Sequence, residues 1–402
     1  MLSVHTSPLA QPGSGDGGGM NVYVRAVASA LARAGVECDV FTRREHPEQP
    51  PVVDVEPGFR VVHVNAGPAA PVSKQEVVEL IDPFVAGMLD HLDGYGGEFD
   101  VLHANYWVSG AVAHRLKHVL DLPLAATFHT LDRVKAEAGL GDDPEVRAKV
   151  ERDVIRCADL MVASTDEERE QLVGLYGAEP DRIAIVPPGV DHRVFRPGDV
   201  AESRRALGVH PRHPLLLFVG RIQPLKGAAL AVRALAALDD ERATLLVVGG
   251  PSGPDGEAEL GRLHDLVDEL GVGHRVRFVP AQPHEGLATY YQAADVCLVP
   301  SRTESFGLVA LEAAACGTPV VAAGVGGLRT IVEDGRTGFL VDGRSPLDFA
   351  APVALLLEDD SLRVAMGADA VAGAAGYTWS IAAARLRRLY GDLAVRTPVE
   401  CS

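Results

Sequence analysis

Two glutamates and two cations carry the chemistry that the chain displays most directly. Glu304 and Glu312 enclose seven residues in Glu304-Ser305-Phe306-Gly307-Leu308-Val309-Ala310-Leu311-Glu312. Carboxylates accept the protons of paired sugar hydroxyls, so a donor hexose and a ribose are natural targets. Arg221 and Lys226 lie in Gly220-Arg221-Ile222-Gln223-Pro224-Leu225-Lys226-Gly227. Two fixed positive charges beside a strand-to-helix turn suit a diphosphate and stabilise charge developing on a departing nucleotide. Plainer roles compete: Glu304 as an acid favoured by a helix start, Glu312 on a solvated helix face, and Arg221 and Lys226 as surface charges.

A glycine loop adds a third feature. Gly13-Ser14-Gly15-Asp16-Gly17-Gly18 spells G-x-G-x-x-G, the literal dinucleotide fingerprint. The fingerprint needs a strand running tightly into its first glycine and an acid closing the second strand. Here a loop over 6–12 intervenes, and the second strand closes on Thr42-Arg43-Arg44. The glycines instead permit close approach of a ligand to bare backbone. Gly17-Gly18-Gly19 opens onto a helix over 20–33, whose unpaired amides and dipole favour negative charge. Residues 16–21 are expected to form one wall of a substrate cleft, with a surface loop as the plainer alternative.

The elements that must position these residues follow from hydrophobic period. Strands are expected over 36–42, 59–64, 101–103, 124–127, 160–163 and 183–186, with helices over 20–33, 74–92 and 108–119. After Pro187-Pro188-Gly189 and Phe195-Arg196-Pro197-Gly198, which look like a linker, a second series begins. Near-continuous apolar runs over 215–219, 243–248, 276–279, 296–299 and 320–322 suit strands buried on both faces of a parallel sheet. The expectation is α/β, with two consecutive doubly wound domains, 1–195 and 196–379, that bind ligands at the carboxyl ends of their strands. A last helix over 381–393, in a segment of about 380–402, is free to pack back onto either domain.

Composition narrows the partners. The net charge of −18 argues against a nucleic-acid or anionic-membrane surface, so an anionic substrate needs local basic clusters. No apolar run approaches the roughly 20 residues that span a bilayer, and Met1-Leu2-Ser3-Val4-His5 has no leader character. Cys38, Cys157, Cys297, Cys316 and Cys401 form no C-x-x-C. Reduced thiols in a cytoplasmic protein are therefore expected.

The Glu304–Glu312 spacing around Ser-Phe-Gly resembles the E-x7-E motif of retaining GT-B glycosyltransferases of family 4, and Gly220-Arg221…Lys226-Gly227 resembles that family's diphosphate site. His5-Thr6-Ser7-Pro8-Leu9, the run from Gly15 to Tyr23, Tyr106-Trp107 with Ser109-Gly110, and His129-Thr130-Leu131 are similar to the branch acting on an inositol phosphate at the start of mycothiol synthesis. So are Gly249 to Pro254 and Phe306-Gly307-Leu308-Val309. The resemblance spans essentially the whole chain. It implies a GT-B fold of two Rossmann-like domains facing a central cleft, and transfer of N-acetylglucosamine from UDP-GlcNAc to 1D-myo-inositol 3-phosphate with anomeric retention.

By that resemblance, Arg221 and Lys226 hold the diphosphate, Glu312 the ribose and Glu304 the sugar, while Gly19 approaches the donor beside Gln11 and Pro12. Lys74, Tyr106, Thr130 and Arg147 take the acceptor phosphate. His5 with Asp16, Gly17, Gly18, Gly19, Met20 and Asn21 holds the inositol ring, and His129 steadies the sugar in a same-face attack; a core histidine is its plainer role. Gln282 stands beside the nucleotide where family members place an arginine, and the first strand, 2–4, is shorter than theirs. The resemblance further implies domain closure, a homodimer, no metal in the chemistry, and a peripheral magnesium near Tyr291, Gln292, Ala294 and Thr318. Another phosphorylated or lipid-linked acceptor, such as phosphatidylinositol with GDP-mannose, and a non-catalytic sugar-phosphate binder remain alternatives.

Overall fold

A computed structural model describes residues 1–402 except 14, 16, 73, 94–97, 140–143, 254 and 402, and the side chains of 74, 75, 144 and 145. The chain divides into two compact units, one of 1–10, 20–187 and 379–402, the other of 11–19 and 188–378. The division thus falls after Pro187 rather than after 195, and the glycine loop belongs with the second unit.

The first unit contains α1 (Gly19–Arg33), β1 (Cys38–Arg43), β2 (Val52–Glu56), β3 (Phe59–Val64), α2 (Lys74–Glu79), α3 (Ile81–Asp93), β4 (Leu102–Asn105), α4 (Trp107–Leu120), β5 (Leu124–Thr127), α5 (Asp132–Glu137), α6 (Pro144–Cys157), β6 (Leu160–Ala163), α7 (Asp166–Tyr176) and β7 (Ile183–Ile185). Its sheets run β1-β3-β2 and β4-β5-β6-β7. Among the described residues Leu2 joins them, bridging in parallel to Phe41 and to Ala104. The expected first strand is therefore reduced to this ladder fragment, in which Leu2 N–H donates to His103 O and Ser3 N–H to Phe41 O. Every strand is parallel except β2, which pairs antiparallel to β3. That edge strand, Val-Val-Asp-Val-Glu, went unread because it is short and half solvated. The single helix expected over 74–92 is two, because Pro83 has no N–H to donate and is tolerated only in a first turn.

The second unit contains α8 (Val200–Ala206), β8 (Leu215–Val219), α9 (Ala228–Ala236), β9 (Thr244–Val248), α10 (Gly256–Glu269), β10 (Val276–Val279), α11 (Leu287–Ala293), β11 (Val296–Val299), α12 (Leu308–Ala315), β12 (Val320–Ala323), α13 (Leu328–Ile331), β13 (Gly338–Val341), α14 (Pro346–Glu358) and α15 (Asp360–Ala374). Its six strands order β10-β9-β8-β11-β12-β13, all parallel. Renumbered within the unit this is 3-2-1-4-5-6, the doubly wound order whose direction reverses between its first and fourth strands. Leu216, Phe218, Leu245, Val247, Leu298 and Val321 face one apolar layer, and Leu217, Leu246, Cys297 and Ala322 the other. Burial on both faces explains the unbroken apolar runs.

α16 (Trp379–Ala394) returns to the first unit. Its Ala382, Ala383, Leu386 and Leu393 pack in the cluster of Tyr23, Val24, Val27 and Leu31. Among the described residues no helix is long and apolar enough to cross a membrane. The Sγ atoms of Cys157 and Cys401 are brought together, with Cα atoms 5.1 Å apart. Separate thiols had been expected at all five positions; Cys38, Cys297 and Cys316 are free and buried.

Candidate active site

In the second unit the strand order reverses between β8 and β11, the point at which a doubly wound sheet offers its ligand crevice. Arg221 and Lys226 follow β8, and Glu304 follows β11. Lys226 Nζ lies 2.7 Å from Glu304 Oε2, which also accepts from Ser301 Oγ at 3.3 Å. Two side chains 78 residues apart meet because their strands are neighbours. Gly227, left-handed at φ +76°, caps α9; a Cβ there would lie 2.3 Å from Pro300 O, so the close approach of the two strand ends requires glycine. Behind Glu304, its carbonyl accepts from Gly327 N–H at 2.8 Å, which fixes the loop.

The glycine loop is docked on this same unit. Gly250 N–H donates to Gly13 O at 2.9 Å, Gln11 Nε2 to Ala281 O at 3.0 Å and Ser252 Oγ to Gly15 O at 2.5 Å. Gly13 N–H donates to Gly17 O, closing the loop on itself. Ser252 also accepts from Arg221 Nη1 at 3.3 Å. Gly18 sits against Arg221, since a Cβ there would stand 3.1 Å from the guanidinium Nε. Gly19 begins α1 with Met20 and Asn21. Pro12 is half-buried. Asp16 lies outside the described residues. Gln282 turns its amide back onto Pro280 O at 2.8 Å.

Glu312 is not on a solvated helix face. It is buried, accepting from Tyr291 Oη at 2.8 Å through Oε2 and lying 2.6 Å from His284 Nε2 through Oε1. Each oxygen keeps a further lone pair for a hydroxyl. Burial, then the Glu312 charge, holds the Tyr291 phenol far above its ordinary pKa, so it stays a neutral donor. Burial likewise pushes the Cys316 thiol up to about 12. His284 escaped sequence reasoning, and Tyr291 entered only as a neighbour of the magnesium, because no helical or strand period links them to Glu312. Tyr291, Gln292 and Ala294 gather at the C-terminal end of α11. Thr318 Oγ1 donates to the Tyr291 carbonyl at 2.6 Å, and Gln292 accepts from Ser203 and donates to Arg196 O. Carbonyls at a helix C-terminus and a hydroxyl are an all-oxygen donor set, which fits a hard cation.

The first unit builds a different centre. Arg147, on α6, reaches Thr130 O at 2.7 Å, Thr130 Oγ1 at 3.1 Å and Tyr106 Oη at 3.3 Å. Its Cζ lies 5.0 Å from the Tyr106 ring centroid. Glu151, one turn along α6, accepts from Arg147 Nε at 2.7 Å, and Asp132 stands 4.0 Å away. Burial disfavours the guanidinium charge, but Tyr106, Glu151 and Asp132 outweigh it and raise its pKa. The Arg147–Glu151 spacing of four was a signal available in the sequence; Asp132 carried none. Lys74 opens α2, with its side chain outside the description.

His5 follows the Leu2 bridge, its ring 4.5 Å from that of Tyr106. Asn21, buried, donates from Nδ2 to Thr6 Oγ1 at 2.7 Å and Ser7 O at 2.6 Å, which ties α1 to the His5 loop. His129 follows β5 with φ +62°, a conformation uncommon outside glycine. Its Nε2 is 3.0 Å from Asn105 Oδ1. Burial lowers the His129 pKa to about 3, leaving a neutral ring at physiological pH. Thus Tyr106, Thr130 and Arg147 come together, and His5 joins them through Tyr106.

Residues 17–194 match the family described as Glycosyltransferase Family 4 and residues 199–371 the one described as Glycosyl transferases group 1. The D-inositol 3-phosphate glycosyltransferase of Corynebacterium diphtheriae is 44% identical over 100% of this chain and 96% of its own, and that of Actinosynnema mirum is 48% identical over 98% and 96%. Among solved structures, sucrose-phosphate synthase from Thermosynechococcus elongatus superposes with a TM-score of 0.91 at 34% identity, covering 98% of each chain. Anabaena HepE, solved with UDP and glucose, shares the fold with a TM-score of 0.80 at 20% identity, covering 98% of this chain and 99% of its own. The chain belongs to the D-inositol 3-phosphate glycosyltransferase family of retaining GT-B glycosyltransferases.

Proposed function

We propose that this enzyme transfers N-acetylglucosamine from UDP-GlcNAc to 1D-myo-inositol 3-phosphate with retention, the first step of mycothiol synthesis. The observation carrying this reading is that each unit has its own cation centre. Lys226 with Arg221 suits a diphosphate, and Arg147 with Thr130 and Tyr106 suits a single phosphate. A transferase joining a nucleotide sugar to a phosphorylated acceptor needs both.

Lys226 and Arg221 offset the charge that gathers on the diphosphate as the bond from the anomeric carbon to its oxygen breaks. The acceptor hydroxyl forms the new bond on the same face and passes its proton to the departing diphosphate oxygen. The other product is UDP. Glu304 orients sugar hydroxyls, and Glu312, steadied by Tyr291 and His284, those of the ribose. Gly19 with Gln11, Pro12 and Gln282 borders the donor. His5 and residues 16–21 hold the inositol ring, Lys74 adds a second cation to the acceptor phosphate, and neutral His129 bonds to the sugar. The donor is a substrate rather than a resident cofactor. A peripheral magnesium held by Tyr291, Gln292, Ala294 and Thr318 would pin the end of α11 and take no part in transfer. The reading includes a cytoplasmic homodimer.

The test is UDP release from UDP-GlcNAc with and without 1D-myo-inositol 3-phosphate, followed by product NMR. Acceptor-dependent release with an α-linked product is expected. Release indifferent to that acceptor overturns the assignment.

A further inference from the structure

We infer that His114, His118, Cys157 and Cys401 form a structural metal site for a single zinc ion, which staples the segment around Cys401 to the first unit. The site lies outside the transfer machinery. His114 and His118 are four apart on α4, and so project from one face of that helix. Cys157 ends α6, and Cys401 lies beyond α16. Three remote segments thus deliver four donors whose ligand atoms all fall within 4.8 Å of one another.

Three sulfur–nitrogen distances fall near those of a coordination shell. His118 Nε2 lies 3.5 Å from Cys157 Sγ and 3.2 Å from Cys401 Sγ, and His114 Nε2 lies 3.9 Å from Cys401 Sγ. A tetrahedron with zinc–sulfur bonds of about 2.3 Å and zinc–nitrogen bonds of about 2.0–2.1 Å has sulfur–nitrogen edges of about 3.5 Å. Two thiolates and two imidazoles are a donor set that selects zinc among the common divalent ions. A bond between the two sulfurs alone uses neither ring, whereas a metal uses all four donors.

The surroundings hold the donors in place without it. Lys117 Nζ donates to Cys157 O and to Asp159 Oδ2, both at 2.7 Å, locking the end of α4 to the end of α6. Asp159 Oδ1 accepts from Val399 N–H, which delivers Cys401 to the cluster. A thiol reductant supplies the two electrons and two protons that keep Cys157 and Cys401 as thiols; on binding, the two thiol protons leave to solvent and the two imidazoles contribute lone pairs, so the site becomes neutral.

The experiment uses the full chain purified under reducing conditions, with metal measured by mass spectrometry and cobalt(II) added to the chelated protein. The expected result is one zinc per chain, and a cobalt complex with thiolate charge-transfer and tetrahedral d–d bands. His118→Ala and Cys401→Ser should each abolish the zinc and the cobalt bands and lower Tm, while glycosyl transfer at moderate temperature persists. His118 is exposed, so its replacement leaves the core intact and separates lost metal from misfolding. Metal content no higher than in the His118→Ala/Cys401→Ser double variant overturns the inference. So does a Cys157–Cys401 disulfide recovered by peptide mapping after thiols are blocked at lysis.

Discussion

The two units solve the same electrostatic problem in opposite ways. In the first, Arg147 is held by buried Glu151 and Asp132 and by half-buried Thr130 and Tyr106, with its charge stabilised before any ligand arrives. In the second, Lys226 pairs among the described residues with one carboxylate, Glu304, and both are partly solvent-exposed. A cation in a full network has its geometry set by the fold and gives a rigid receptor. A cation in one accessible ion pair can exchange its partner for a diphosphate at little cost, since such a pair is worth only about 0–1 kcal/mol. The first arrangement suits recognition of a fixed phosphate. The second suits a group whose charge grows during the reaction.

Breaking the exchangeable pair should have the largest effect on turnover. Lys226→Ala is expected to lower kcat/KM by about 10²–10³, as for loss of one stabilising donor, with Tm nearly unchanged; UDP release and thermal melting check both. Breaking the network should do the reverse. Arg147→Ala leaves the buried Glu151 carboxylate unpaired, a loss of about 3–5 kcal/mol, and should raise the acceptor KM more than the donor KM. Arg147→Lys should not restore it, because an ammonium lacks the planar fork that spans Thr130 and Tyr106.

Acid should separate the units. Burial first, then the N-terminal ammonium and His129, lowers His103 to about 3, and burial lowers His129 to about 3. Between about pH 3 and 6.5 the unfolded chain binds these protons and the folded one does not, so stability from both rings is full above 6.5 and lost as pH falls. Glu168, raised by burial to about 7, has the opposite sign and partly offsets this between about 4.5 and 7. The net expectation is steep acid destabilisation of the first unit below about pH 4.5. Both tryptophans, Trp107 and Trp379, lie in that unit, so their fluorescence reports it alone.

Smaller changes sharpen the comparison. His129→Ala removes one hydrogen bond to the sugar and should cost about tenfold in kcat/KM, with no kinetic inflection near pH 6.5 in the native enzyme attributable to this ring. Tyr291→Phe deletes one of the donors to Glu312 and should raise the donor KM by less than about tenfold, measured by UDP-GlcNAc titration.

Much of this molecule is determined locally. The apolar runs of β8, β9 and β11 are set by burial on both faces, so their period and length are visible in the residues themselves. The positions after β8 and β11 then single out Arg221, Lys226 and Glu304 as candidates, because a parallel sheet binds at its carboxyl edge. Edge elements were harder to read. β2 and β13 are short and only partly buried, and Pro83 divides a helix whose apolar period runs on across it. What only the tertiary structure decided is which remote residues meet. Arg147 finds Thr130 and Tyr106, Glu312 finds His284 and Tyr291, and Cys157 finds Cys401 and the two α4 histidines. Those meetings depend on strand order and on the return of α16, long-range choices made by packing the whole core, and no local period encodes them.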